Sequence, residues 1–577
     1  MIDNGNFISR FIKNAESTPN KIALQLPQME GQQCTAEESI SYGDLSSLIA
    51  AYKLLWQQKG WQAGDRVIVI LKPSKELYAI AMSLFSLGIV AVFIDTGMGR
   101  KKIQMAIRDS NASAIISMQA LIKLFWFVPA LWPLQRFSID GSGLGYGNIL
   151  DQVSQVILDN NDECRVLTAI ERSNTDHGLI SFTSGSTGRP KGADRTHFSL
   201  IQQHLAIRDH WPDTAGDIDC PCFPVMVLHN LSCGMTTIMP KVDLAQPSEV
   251  NAAIVIEQIR QHKISRLSGA PAYISKLVDY LSEQDPSQQT VREVKSIVVG
   301  GATVSKNLAQ KIRSAFPDAD ARIVYGSTEA EPISDIRIDE YLAESSDTDN
   351  KQAGYLVGRV ASQVDLLISN FSDIEISYEK VDKLITEEDL LNQACEVGEV
   401  GEILVSGNHV LKQYIDNPLA NQENKIPREN VAETKAIWHR TGDCGYLDDQ
   451  GRLWLSGRIK DVIQIKGKAL QPYPIEQALD QDIDITRAAV LSHDEQVCIF
   501  VQVNSQPSYD SSDIKKRIIN TVVDVLPLKI DSIQYIEINQ MPVDGRHNSK
   551  IDRPKLRDGL KNNSFKNSQL LTINSRG

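Results

Sequence analysis

Ser181-Phe182-Thr183-Ser184-Gly185-Ser186-Thr187-Gly188-Arg189-Pro190-Lys191-Gly192 decides how this chain is read. The apolar run Leu179-Ile180-Ser181-Phe182 predicts a strand leading into it. A Gly-rich loop leaving a strand can cradle phosphate, because bare backbone N–H groups and hydroxyls point inward together. Lys191 adds a fixed positive charge. The spacing is not G-x-x-x-x-G-K-[ST]: five residues after Gly185 comes Pro190, and five after Gly188 comes Ala193. A flexible Ser/Gly linker is the plain alternative, but a linker calls for neither a strand in front nor Pro-Lys-Gly behind.

Around this loop the chain reads as a large enzyme. Its 577 residues suggest more than one domain. With 42% hydrophobic and 23% charged residues, a large core is expected and global disorder is not. The net charge of −13 repels nucleic-acid backbones, so no nucleic-acid partner is expected. The eight cysteines are scattered; Cys220 and Cys222 are the only close pair, and no C-x-x-C or His pair completes a zinc site. They read as reduced thiols of a cytoplasmic protein, and Met1 to Asn6 lack the character of a signal peptide.

Strand and helix patterns alternate. Val67 to Leu71 and Ile89 to Ile94 are apolar β-branched runs, and Glu76 to Leu87 between them has helical spacing. That order predicts an α/β fold with a mostly parallel sheet buried on both faces. Further strand-like runs at Ile264 to Leu267, Ser296 to Val299 and Arg322 to Val324 end on Ser268-Gly269, Gly300-Gly301-Ala302 and Tyr325-Gly326-Ser327-Thr328-Glu329. Ligands bind beyond the carboxyl ends of strands in open α/β sheets, so these ends predict one composite site. Phe223 to Leu228 reads as a strand, Asn421 to Thr434 as a surface loop, and the tail after about Asn562 as frayed.

Residues 120–134, Ala120 to Leu134, are apolar but hold two prolines and a lysine and are too short to span a bilayer. No transmembrane segment is expected. This stretch reads as buried structure, with an exposed patch for a greasy substrate, a lipid surface or a partner enzyme as the alternative.

Thr183 to Gly192 meets every fixed position of T-S-G-[ST]-T-G-x-P-K-G, and so resembles the phosphate loop of the adenylate-forming superfamily. That superfamily includes acyl-CoA synthetases, peptide-synthetase adenylation domains and luciferases. The resemblance implies that Thr183, Ser184, Gly185, Ser186, Thr187, Gly188 and Lys191 hold the phosphates of ATP while a carboxylate attacks the α-phosphorus. It also implies a large N-terminal AMP-binding domain, 1–457, with mixed mostly parallel sheets. A small mobile α+β lid, 458–577, follows, hinged at Lys460.

Tyr325 to Glu329 is similar to the family's Y-G-x-T-E. Tyr325, Gly326 and Ser327 would approach the adenine, Thr328 the α-phosphate, and Glu329, with Thr187, would hold Mg²⁺, a cation that takes carboxylate and phosphate oxygens. Gly301-Ala302-Thr303 would form the neighbouring adenine and acyl wall. Trp438 to Asp443 matches [WYF]-x-x-T-G-D, so Asp443, with Arg458 fifteen residues on, would bind the ribose hydroxyls. Lys550, within Pro542 to Arg553, would bridge substrate carboxylate and α-phosphate. Catalysis is thereby assigned to Lys550, Thr328, Glu329 and Lys191. Substrate contacts are assigned to His229, Asn230, Gly301 and Gly326, in apolar surroundings that suit a hydrophobic carboxylic acid.

Two departures narrow the resemblance. Ile463-Gln464-Ile465-Lys466-Gly467 has Gln where many thioester-forming members carry Lys, and Arg546 to Ser549 replace T-x-S-G before Lys550. The Pro542 to Ile551 stretch, Ile94-Asp95-Thr96-Gly97-Met98-Gly99, and the apolar acyl-site stretch Pro221 to Met226 are similar to the β-lactone synthetases of bacterial olefin biosynthesis. There the hydroxyl of an adenylated β-hydroxy acid displaces AMP. Transfer to CoA or a carrier-protein thiol is the alternative, and a non-catalytic acyl-binding or scaffold protein a further one.

Overall fold

The computed structural model describes residues 5–30, 33–183, 189–243, 249–344, 354–370, 386–429, 431–465, 468–494, 496–504, 511–525, 532–544, 550–565 and 567–572. Among the described residues, two large sheets, a four-stranded sheet and a two-stranded hairpin organise it.

The sheet carrying the Gly-rich loop has the order Gly147–Asn148, Gln135–Ser138, Ala114–Ser117, Arg66–Ile70, Val90–Ile94, His177–Thr183, Lys191–Thr196. All neighbours are parallel except the last pair. Its strands are apolar on both faces because both are covered. Val67, Val69, Ala91, Ala114 and Leu179 enter one core, and Ile68, Val90, Val92, Ile115 and Ile180 the other. The crossover helix Lys75–Ser86 is capped by the Ser74 side chain, which accepts from Leu77 N, and Leu77 to Ser86 are all buried.

In the larger sheet Ile218–Pro221, Arg266–Gly269, Ser296–Gly300 and Asp320–Ser327 lie parallel and adjacent. Their carboxyl ends therefore meet at one edge, as the sequence predicts. Antiparallel strands continue the sheet through Tyr355–Val360, Arg452–Arg458 and Ile437–Leu447. That brings Asp443 opposite Arg458 in register.

Beyond Arg458 the chain makes the hairpin Ile463–Ile465 with Lys468–Leu470, then the sheet Ile485–His493, Gln496–Val503, Ser532–Glu537, Ser568–Thr572. Helices Pro472–Leu479, Ser511–Val525 and Arg553–Lys561 accompany it. Buried Arg553 donates to both oxygens of buried Glu476 at 2.7 Å, and Val490 N donates to the same carboxylate. Each buried charge thus has its counterion. Tyr355 of the large domain donates its hydroxyl to Asp480 of the small one at 2.7 Å.

Three sequence expectations are corrected. Phe223 to Leu228 is not a strand: Met226–Cys233 is a helix, ended by Gly234 in the left-handed region at φ 76°. Its run of β-branched and long apolar residues has the composition of a buried strand, and composition alone does not separate the two for short segments. The stretch expected as a loop contains part of the helix Pro418–Asn424 and the strand Lys425–Pro427. The tail expected to fray pairs Ser568–Thr572 with Ser532–Glu537. Of residues 120–134, Ile122, Val128, Leu131 and Leu134 are buried, while Leu124, Phe127 and Trp132 are exposed. No helix among the described residues is long and apolar enough to cross a membrane.

Candidate nucleotide and acyl site

Ser184 to Gly188 lie outside the described residues; the flanks of the loop do not. Thr183 pairs with Lys191 across the strands His177–Thr183 and Lys191–Thr196. Gly192 is required by close approach: a Cβ there would stand 2.7 Å from Ile415 Cγ2 and 2.8 Å from Phe182 Cζ. That approach lets Ile415 N donate to Gly192 O at 2.9 Å, and it lays the segment around Tyr414 along the strand.

Tyr414 organises the charges that follow. Its hydroxyl donates to Glu329 Oε1 at 2.8 Å. The ammonium groups of Lys191 and Lys425 each lie 5.1 Å from its ring centroid, within cation–π range. Leu411 N donates to Glu329 O at 2.7 Å, and the Lys425 ammonium donates to Leu411 O. Burial works to raise the Glu329 carboxyl; His439, Lys425 and the Tyr414 hydroxyl outweigh it and bring it down to about 2. His439 is itself pushed to about 3 by burial and by Lys425. Burial pushes the Lys425 ammonium down to about 7. Arg195 ties this group to the next strand end, donating to Ser181 Oγ at 3.2 Å and to Thr328 O at 2.6 Å.

A second polar group lies at the end of Asp320–Ser327. Tyr325 donates its hydroxyl to Asp443 Oδ2 at 2.7 Å, and Arg458 Nε stands 3.0 Å from Asp443 Oδ1. Asp443 N donates to Thr441 Oγ1 at 3.0 Å, which fixes the turn. Both carboxylate oxygens are held, so the anion is oriented before any ligand arrives. Gly326 faces its own turn: a Cβ there would stand 2.9 Å from Ala330 O. Gly301, at φ 89°, faces the Phe223 ring at 3.9 Å from its ideal Cβ, with Ala302 half-buried and Thr303 exposed beside it.

His229 and Asn230 are packed inside the protein. His229 contacts His204 and Cys233, and the Asn230 amide donates to Asp219 Oδ2 at 2.7 Å and Thr237 Oγ1 at 3.1 Å. Lys550 is exposed; its backbone N donates to Asp544 Oδ1 at 2.8 Å. Lys460 precedes Asp461, whose carboxylate pairs with Arg553 and Arg557. Tyr414, Lys425 and His439 were missed by sequence reading. Lys425 sits in a polar stretch where nothing distinguishes a buried lysine from a solvated one.

A phosphate-type loop, an oriented carboxylate at a strand end and a carboxylate among lysines define an adenylate-forming class of enzyme. The chain belongs to the AMP-binding enzyme family, which residues 11–415 match. It is 27% identical to the olefin beta-lactone synthetase of Stenotrophomonas maltophilia, over 96% of this chain and 97% of that one. It is 24% identical to 4-coumarate–CoA ligase 4 of Arabidopsis thaliana, over 90% and 86%. Among solved structures it resembles ATP-bound MatB from Rhodopseudomonas palustris, with TM-score 0.75, 18% identity and 97% and 99% of the two chains covered.

Proposed function

We propose that this enzyme uses ATP and Mg²⁺ to convert a hydrophobic carboxylic acid into its acyl-adenylate, releasing pyrophosphate, and then closes a β-lactone. In the second step the hydroxyl of a β-hydroxy acid attacks the activated carbonyl and AMP leaves. The observation that carries this reading is the near full-length similarity to an olefin beta-lactone synthetase.

The residues fit the group they would hold. Asp443, oriented by Tyr325 and Arg458, accepts from the ribose hydroxyls. Lys191, with Thr183 to Gly188, binds the outer phosphates; Thr328 donates to the α-phosphate. Glu329 and Thr187 would hold Mg²⁺, which would supply charge neutralisation on phosphate oxygens. The low proton affinity of Glu329 suits a hard-cation ligand. Lys425 helps hold the Glu329 carboxyl down, and Gly301 with Phe223 lines the acyl side. Residues from Arg458 onward form a lid that turns at Lys460 and brings Lys550 to the reacting oxygens. Eight unpaired cysteines suit a reducing cytoplasm.

Gln464, exposed in the hairpin Ile463–Ile465 with Lys468–Leu470, supports an acceptor other than CoA. The competing reading, transfer to CoA or a carrier-protein thiol, draws on the likeness to a 4-coumarate–CoA ligase. Acid-dependent exchange of pyrophosphate into ATP tests the first step: hydrophobic 3-hydroxy acids should support it. No exchange across a broad acid panel would reject it.

A further inference from the structure

Away from the strand ends, His204 of the helix His197–His210 meets His229 and Cys233 of the helix Met226–Cys233. His229 and Cys233 are four residues apart and so share one helix face. His204 Nδ1 stands 3.1 Å from His229 Nδ1, and Cys233 Sγ 3.5 Å from His229 Nε2. One ligand atom from each residue lies within 4.8 Å of those of the other two. Both imidazoles are buried, at 2% and 4% exposure, and Cys233 is half-buried.

Without a cation the facing atoms of this group can only pair with one another. Cys233 can donate to His229 Nε2, which leaves His229 Nδ1–H to donate to His204 Nδ1. His204 Nε2 is then left buried without a hydrogen-bond partner among the described residues.

We infer that His204, His229 and Cys233 form a transition-metal site, selective for a zinc-type cation, that pins the two helices together. Two imidazoles and a thiolate are the donor set of zinc, not of magnesium or calcium. Zinc holds nitrogen and sulfur at about 2.0–2.3 Å, which sets tetrahedral ligands roughly 3–4 Å apart, so the three ligand atoms, within 4.8 Å of one another here, would draw slightly closer on binding. On binding, Cys233 would lose its thiol proton to solvent, and water would take the fourth position. The nearby guanidinium groups bring counterions of their own: Arg208 pairs with Asp213 at 2.9 Å, and Arg266 faces Asp217 at 3.5 Å. The second helix begins three residues after Phe223, whose ring faces Gly301. The metal would therefore hold the acyl wall from behind, as a structural staple.

Full-length protein stripped by a chelator is titrated with Co²⁺ and then Zn²⁺. One equivalent of cobalt should produce thiolate-to-metal absorption with four-coordinate d–d bands, and zinc should abolish both. The charge-transfer band should vanish in Cys233→Ser, weaken in His204→Gln and persist in Cys220→Ser. As a readout independent of variant folding, zinc but not magnesium should raise the Tm of the stripped wild type. A wild type with no thiolate band, a band that survives Cys233→Ser, or a Tm unmoved by zinc each overturns the site.

Discussion

Tyr414 donates its hydroxyl to Glu329 Oε1 at 2.8 Å while two lysine ammonium groups, Lys191 and Lys425, face its ring. One aromatic side chain thus sets the distance between an anion and two cations. Lys425→Met removes an ammonium that helps hold the Glu329 carboxyl down and keeps much of the side-chain volume. Adenylation should fall about a hundredfold and half-saturation should shift to higher Mg²⁺. Tyr414→Phe removes one hydrogen bond to a charged group, about 1.5–3 kcal/mol, and should cost less. Pyrophosphate-exchange rates against Mg²⁺ concentration check the order; an unchanged Mg²⁺ requirement in Lys425→Met contradicts it.

Asp443 should govern nucleotide affinity. Asp443→Ala should raise the KM for ATP by at least about tenfold, since a carboxylate accepting two hydroxyls is lost. Tyr325→Phe, which only frees Asp443 Oδ2, should raise it less. Equal effects would mean that Tyr325 acts on nucleotide directly and not through Asp443.

Lys550→Ala should separate binding from chemistry. A donor aimed at developing charge is worth roughly a hundredfold or more. The adenylation rate should drop by that much while ATP binding by calorimetry stays near wild type. Wild-type turnover in this variant would reject the lid assignment.

Burial of Asp480, which accepts from Tyr355, makes stability depend on pH. Burial, aided by Glu476 and opposed by the Tyr355 hydroxyl and Arg487, pushes the Asp480 carboxyl from 3.8 up to about 7. The folded state therefore binds the extra proton between those values. Stability at this site is greatest below 3.8 and declines as pH rises to about 7. Asp480→Asn keeps an acceptor for Tyr355 without charge. It should melt above wild type at about pH 8 and match it near pH 4. A constant difference across that range would show that Asp480 does not titrate there.

Much of the site was legible because its motifs are local. Thr183 to Gly192, Tyr325 to Glu329 and Trp438 to Asp443 are each short and contiguous in sequence, and chemistry constrains their residue types. Strand ends were legible for the same reason, since Gly300-Gly301 and Tyr325-Gly326 stop β-branched runs. What sequence concealed depends on tertiary approach. Lys425 reaches Glu329 only because Gly192 admits Ile415 and draws Tyr414 onto the strand. His229 and Cys233 share a face only on a helix, and reading Phe223 to Leu228 as a strand set them apart. Ser568–Thr572 looked unstructured because its polar composition carries no periodicity; its partner strand supplies the order.

The most direct test is mass spectrometry of the products formed from a hydrophobic 3-hydroxy acid, ATP and Mg²⁺, with and without CoA. A product lighter than the acid by one water, formed in the absence of any thiol together with AMP and pyrophosphate, is the predicted result. Acyl thioesters as the only products, appearing solely when CoA or a carrier protein is added, would contradict the lactone assignment and the argument from Gln464.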